Sequence, residues 1–345
     1  MRKKIVVLLL SVVLVTLPLL AGCSSTGPQK SEDAQSIQER TFKIGHIRPD
    51  GSSADLNVEL FKDEISKASD GKLNIEIYPA SQLGDYTVVM ERVSIGDIEM
   101  QISPLGTNID KGFGISSAPY IVENWDQAKE TFKSGGTLVN VMAEKMEENG
   151  IKYLAGYPLY FGGIALMEEP LSPEDPNVAK NLKIRVPPMK SYEQCAVALG
   201  YQATPLAFSD TFTALQTGIV EGAIGAGAEG YYSNFKDLIK YYLPVNDHFE
   251  MWYLYMNLEL WNGLSVKEQE IIQSAASALE EKRFAEAEAE TSAFESKMED
   301  AGIKIIRFTD EQLSEFAKVN REKVWPIIKV DFGQELFDQI TSSIK

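Results

Sequence analysis

Between Val266 and Ala301 the chain runs without a glycine or a proline and is rich in Ala, Glu, Lys and Gln. These residues carry the highest helix propensities. Ser265 stands just before the run and Glu268 at its third position, the pair that forms a capping box. The spacing therefore predicts one helix over residues 265–301. At ~1.5 Å rise per residue it spans roughly 54 Å, longer than one lobe of a chain this size. Its apolar positions hold no sustained heptad, which disfavours a coiled-coil partner. A helix lying across two lobes is the expected architecture.

Upstream of that run, strand-like and helix-like segments alternate. Thr41 to His46 and Lys72 to Tyr78 show period-two patterning, and Leu56 to Ala68 between them repeats its apolar residues at helical spacing. This is a β-α-β start, which predicts mostly parallel pairing. The pattern continues through helices at Tyr86–Ser94 and Leu138–Asn149 and strands at Ile98–Ile102 and Ile151–Ala155. Past Pro158 a second set begins, with strands at Leu182–Val186 and Ile219–Ile224 and helices at Tyr192–Leu199 and Asp210–Thr217. After the long helix, Ile303–Phe308 reads as a strand and Thr309 to Gln312 opens another capped helix. An α/β fold of two lobes fits this order, because the chain exceeds what one hydrophobic core supports.

The chain begins with Met1-Arg2-Lys3-Lys4, followed by an uncharged apolar run from Ile5 to Leu20. A cationic start ahead of an apolar stretch too short to span a bilayer comfortably is the layout of an export signal. Leu20-Ala21-Gly22-Cys23 then resembles the bacterial lipobox, in which the Cys is diacylated and the bond before it is cut. Residues 1–22 are expected to be a signal peptide. Residues 23–40, rich in Ser, Gln, Gly and charge, are expected to be a lipid-anchored tether. With Cys23 lipidated, Cys195 is the one cysteine left, so the mature fold is expected to hold without a disulfide.

Fifty acidic residues against 33 Lys and Arg give a formal net charge of −17. Such a surface repels nucleic acid and anionic lipid headgroups. The two histidines, His46 and His248, form no metal-binding pair in sequence, and no G-x-S-x-G elbow, P-loop, dinucleotide fingerprint or calcium loop appears. Cys195, in an apolar helical stretch, reads as a core residue. No enzyme, cofactor or metal site is therefore expected.

Asn181-Leu182-Lys183-Ile184-Arg185-Val186-Pro187 closely resembles the "G-L-K-I-R-V-P" segment of the periplasmic solute-binding subunits of TRAP transporters, the DctP-type family. Gly71-Lys72 with Tyr78-Pro79-Ala80-Ser81-Gln82-Leu83-Gly84 is similar to that family's "G-K-…-Y-P-…-Q-L-G" run. Ala118-Pro119-Tyr120, Pro205 to Ser209 and Ala214 to Gly222 match further segments in the same order. The resemblance implies a periplasmic-binding-protein-like fold of two α/β lobes closing on a small organic acid, which is then delivered to separate membrane permease subunits. It implies lobe I over residues 41–160, lobe II over 161–249, and a crossing segment over 250–345 shared by both. A lipoprotein that signals to a membrane receptor or kinase is the alternative of a different class.

The resemblance also assigns site residues. Arg185 takes the place of the Arg that pairs with the ligand carboxylate, a planar bidentate match. Phe208 corresponds to an aromatic lining the cleft. Gly162 stands where sialic-acid binders carry a second Arg, and Gly225 where they carry a polar side chain; Tyr86 and Pro104 replace acidic residues. Tyr160, Phe161 and Trp252 are expected to enclose apolar atoms, and Arg48, Glu229 and Tyr231 to make polar contacts. With those donors missing, the expected ligand is a mono- or dicarboxylate with an apolar or aromatic portion, with weak or no binding of sialic acid or sugar acids.

Overall fold

The computed structural model describes residues 36–344. The export segment and Cys23 lie outside the described residues. Two mixed sheets organise the rest. The first runs in the order β2-β1-β3-β10-β4, with β1 Arg40–Gly45, β2 Leu73–Tyr78, β3 Met100–Ser103, β4 Ile151–Phe161 and β10 Phe249–Asn257. The second runs β11-β9-β5-β8-β6-β7. Its strands are β5 Gly163–Leu166, β6 Lys183–Val186, β7 Gln202–Pro205, β8 Gly222–Ala226, β9 Tyr241–Leu243 and β11 Lys304–Ile305.

The long helix forms over Val266–Asp300, and its capping box is present: Ser265 Oγ accepts from the Glu268 amide while Glu268 reaches back to the Ser265 amide. The other Glu268 oxygen accepts from the Gln38 amide at 2.9 Å and from Arg40 Nε at 3.0 Å. One buried carboxylate thus caps the helix and fastens the chain's entry into β1. The helix packs against β4 and the Ser53–Ala68 helix of the first lobe, and against β11 and the Ala228–Phe235 helix of the second. The fold is therefore two α/β lobes bridged by one helix.

The expected parallel pairing holds for β1 with β2 and β3, for β6 with β7 and β8, and for β9 with β11. Antiparallel strands complete each sheet. β10 lies between β3 and β4, and every one of its residues is buried, so it has no polar face to give a period-two pattern. β4 continues through Pro158 to Phe161, on the sheet edge and beside a register shift opposite Glu250 and Met251, a place where a strand tolerates proline. Two predicted strands differ in extent: Ile303–Phe308 shortens to β11, and Ile219–Ile224 moves to β8, because residues 214–219 form the helix end and the turn at Gly218.

Besides the long helix, the chain crosses between the sheets at two adjacent points. β4 passes into β5 through Gly162, and β9 returns to β10 through residues 244–248. These two connections are hydrogen-bonded to each other, from the Gly162 amide to the His248 carbonyl at 2.8 Å and from the Asn246 amide to the Gly162 carbonyl at 3.1 Å. They form a hydrogen-bonded pair of connections beside the gap between the lobes.

Candidate functional site

At that gap a cavity is lined from the first sheet's side by Ile47, Arg48, Tyr86, Pro104, Ser117 and Glu250, and from the second's by Arg185, Pro187, Met189, Tyr192, Phe208 and Gly225. Strand ends and the residues just beyond them supply most of this lining, as is usual for ligand sites in α/β sheets. The enclosed space is small, ≈ 20 Å³. Direct contacts between the lobes close it. The Phe208 amide donates to Asp85 Oδ2 at 3.2 Å, and Tyr86 OH donates to Met189 Sδ at 3.9 Å.

Two guanidinium groups reach this cavity, and their environments differ. Arg48 is buried and donates from Nε to Glu229 Oε2 at 2.8 Å and from Nη2 to Tyr160 OH at 2.5 Å. It also lies over the Trp252 ring at 4.9 Å from the centroid. Burial opposes its charge, but Tyr160 and Glu229 outweigh that and push its pKa above the ordinary value. Arg185 is as deeply buried, on β6, and donates from Nε to the Leu206 carbonyl at 3.0 Å. No carboxylate among the described residues lies within ion-pair distance of it, and burial holds its pKa below the ordinary value even with Tyr86, Tyr231 and Asp85 nearby. Arg48 and Arg185 sit 5.4 and 5.6 Å from the centroid of the Phe208 ring, which touches both cations.

Arg48, Tyr86, Arg185, Phe208 and Gly225 thus come together at the cavity, whereas Glu229 and Tyr160 stand behind Arg48 and fix it. Gly162 does not line the cavity. A Cβ built there would lie 2.1 Å from His248 Cε1 and 2.2 Å from Nδ1, so the imidazole already fills the space a side chain would occupy. At Gly225 the backbone has φ +95°, and a Cβ would lie 2.5 Å from Pro187 Cγ, so no polar side chain fits there either. Phe161 packs edge-on against Trp125 and Phe249, away from the cavity, and the Tyr231 hydroxyl shares its one hydrogen between the Gly163 and Ala223 carbonyls, 2.9 Å from each, as a structural tie.

Sequence reading missed Glu250, Ser117, Tyr192 and Met189. Glu250 lines the cavity and accepts from Trp252 Nε1 at 2.5 Å and from His248 Nε2 at 2.9 Å. His248 Nδ1 meets Asp247 Oδ2 at 2.6 Å. Burial opposes charge on His248, yet the two carboxylates outweigh it and push its pKa up to about 10. The ring is then an imidazolium donating to both neighbours. The only sequence signal was the Asp247-His248-x-Glu250 spacing, weak in so acidic a chain.

Cys195 is free and buried, and burial pushes its thiol well above the ordinary value, as in a core cysteine. Among the described residues no cluster of His, Cys, Asp and Glu could hold a metal ion, and no helix is long and apolar enough to cross a membrane.

Two bridged α/β lobes, enclosing between them a small cavity that ends on an unneutralised guanidinium, define a ligand-capturing protein of the two-lobe binding type. The family model for "Bacterial extracellular solute-binding protein, family 7" (DctP) matches residues 44–329, and the chain belongs to that family. Sialic acid-binding periplasmic protein SiaP of Vibrio cholerae is 26% identical over 68% of this chain and 73% of its own length. C4-dicarboxylate-binding protein DctB of Bacillus subtilis is 22% identical over 91% of both chains. A TRAP periplasmic solute-binding protein of Haemophilus influenzae, solved with bound L-gulonate, superposes with a TM-score of 0.77 at 25% identity, covering 88% of this chain and 99% of that one. The chain is an extracytoplasmic solute-binding protein of the TRAP type, and this family favours transport over signalling to a membrane receptor.

Proposed function

We propose that the cavity takes a small organic monocarboxylate, that its carboxylate seats on Arg185, and that the loaded protein presents the acid to the membrane permease of a TRAP transporter. One observation carries this reading: a buried guanidinium with no carboxylate among the described residues at ion-pair distance. Removing a charge from water is costly unless it is paired, so this site is incomplete until an anion enters it. The relatives support the class, since sialic acid, C4-dicarboxylates and L-gulonate all bear carboxylates.

Phe208, Ile47, Pro104, Pro187 and Met189 supply the apolar walls, and Ser117, Tyr86, Tyr192 and Glu250 the polar ones. The closed cavity is too small for such an acid, so binding requires the lobes to part about the Gly162 hinge and close again. Lobe I, residues 41–160, and lobe II, residues 161–249, are the bodies that move, with residues 250–345 returning across both. Membrane retention through a diacylated Cys23 would keep the protein near its permease; two chains suffice for stable anchoring. Cys23→Ser is expected to shift the protein from membrane to soluble fractions, and unchanged association would refute the anchor.

A thermal-shift panel of organic acids and their neutral primary amides tests the ligand class. A binding acid at about 100 times its Kd should stabilise the protein by ~2.7 kcal/mol, and its amide should not. Stabilisation by amides equal to that by acids would overturn the reading.

A further inference from the structure

Glu250 is the one carboxylate in the cavity lining, and the fold holds it firmly. It sits on β10, at the register shift opposite β4, and is 5% exposed. One of its oxygens accepts from the indole of Trp252, a residue fully buried beneath the Arg48 guanidinium; the other accepts from His248, itself fixed by Asp247. The ring of Tyr192 meets His248 edge-on at 5.0 Å. Each carboxylate oxygen has two acceptor sites, so one protein donor apiece leaves acceptor capacity free. Protein donors thus fix the group while leaving lone pairs that a donor in the cavity could use.

The local charges narrow what can approach it. Arg48 is committed to Glu229, and His248 lies between Asp247 and Glu250. Arg185 alone among the cations of the cavity lining lacks a carboxylate partner. Three carboxylates, Glu229, Asp247 and Glu250, already match the three cations in number, but only Arg185 has no carboxylate at ion-pair distance, so it can pair directly with one ligand carboxylate and no cation is left for a second. A second carboxylate on the same ligand would meet the Glu250 carboxylate in a poorly screened enclosure, where like charges repel strongly. A hydroxyl at that place would instead donate to it, and a site built around a hydroxyl discriminates against the analogue lacking one.

Resting on the reading of the cavity as a monocarboxylate site, we infer that Glu250 is a specificity-determining residue: it accepts a hydrogen bond from a hydroxyl of the ligand and rejects a second carboxylate. The substrate class is then the small hydroxy-monocarboxylates, with dicarboxylates excluded.

Calorimetric titration of the mature chain with α-hydroxyisovalerate, isovalerate, pantoate, gulonate and succinate tests it, using wild type, Glu250→Gln, Glu250→Asp and Arg185→Met. Wild type should bind the best hydroxy acid roughly tenfold or more tightly than isovalerate, with succinate weaker still. Glu250→Gln keeps the side chain's shape, and it should compress both ratios toward one. Succinate binding best to wild type, or unchanged ratios in a folded Glu250→Gln, would overturn the inference. If Gln at this position fails to fold, Glu250→Asp and the wild-type ratios decide. Acid binding that Arg185→Met abolishes, together with ratios indifferent to Glu250, would refute this inference and leave the carboxylate reading standing. Acid binding indifferent to Arg185 would refute that reading itself.

Discussion

Replacing Arg185 with Met should separate ligand binding from stability in a way that few substitutions can. The guanidinium is fully buried, donates from Nε to the Leu206 carbonyl, and has no carboxylate partner. Truncating a buried hydrogen-bonded partner of a charge costs ~2–5 kcal/mol in binding. At 1.36 kcal/mol per decade, that is a loss of about 30-fold to several thousand-fold. The ligand-free protein should respond differently, since exchanging a buried, uncompensated charge for an apolar side chain of similar volume is often neutral or stabilising. The apo melting temperature of Arg185→Met should therefore stay level or rise while the ligand-induced shift disappears, and Arg185→Lys should restore only part of it, because an ammonium lacks the planar fork. Calorimetry and thermal melts read both quantities. Undiminished affinity in a folded Arg185→Met, or an apo protein several degrees less stable, would refute the reasoning.

Gly162→Ala would place a methyl 2.1 Å from His248 Cε1 at the hinge, and overpacking there should cost ~1–3 kcal/mol in urea unfolding; an unchanged midpoint would contradict the described packing. Because the folded pKa of His248 is raised from 6.5 to about 10, its contribution to stability is complete below about pH 6.5 and is lost as pH rises toward 10, by at most ~1.4 kcal/mol per pH unit. The fall should be shallower in His248→Gln, and equal slopes would show that Asp247 and Glu250 do not hold a proton there. Glu268→Ala removes the acceptor of the Ser265 and Gln38 amides and of Arg40. It should destabilise the protein by ~1–3 kcal/mol in the same assay without altering ligand affinity; an unaltered midpoint would contradict the role given to this carboxylate.

The long helix was legible because its evidence is local: propensity, a capping pair and the absence of breakers all lie within the segment. Arg185 was legible from the motif around it, which fixes a residue on a strand end. The antiparallel strand β10 was not, because a strand buried on both faces shows no alternation, and its neighbours β3 and β4 lie far away in sequence. Glu250 shared that obscurity, since its meaning depends on where β10 sits. At Gly162 and Gly225, which the sequence marks as departures from the resemblance, the reason a side chain is missing is tertiary: His248 fills the first place, and Pro187 with a positive φ closes the second. Those absences alone suggested a cavity with few polar contacts, whereas Glu250, Ser117 and Tyr192 supply them from segments carrying no motif.

The central claim, that one carboxylate completes the charge of Arg185, is tested most directly by a crystal structure of the mature chain bound to the tightest-binding acid of the panel. Ligand carboxylate oxygens should lie at about 2.7–2.9 Å from the terminal nitrogens of Arg185, with the lobes closed over the ligand. A carboxylate placed elsewhere in the cavity, or an acid bound outside it with Arg185 still unpaired, would contradict the account.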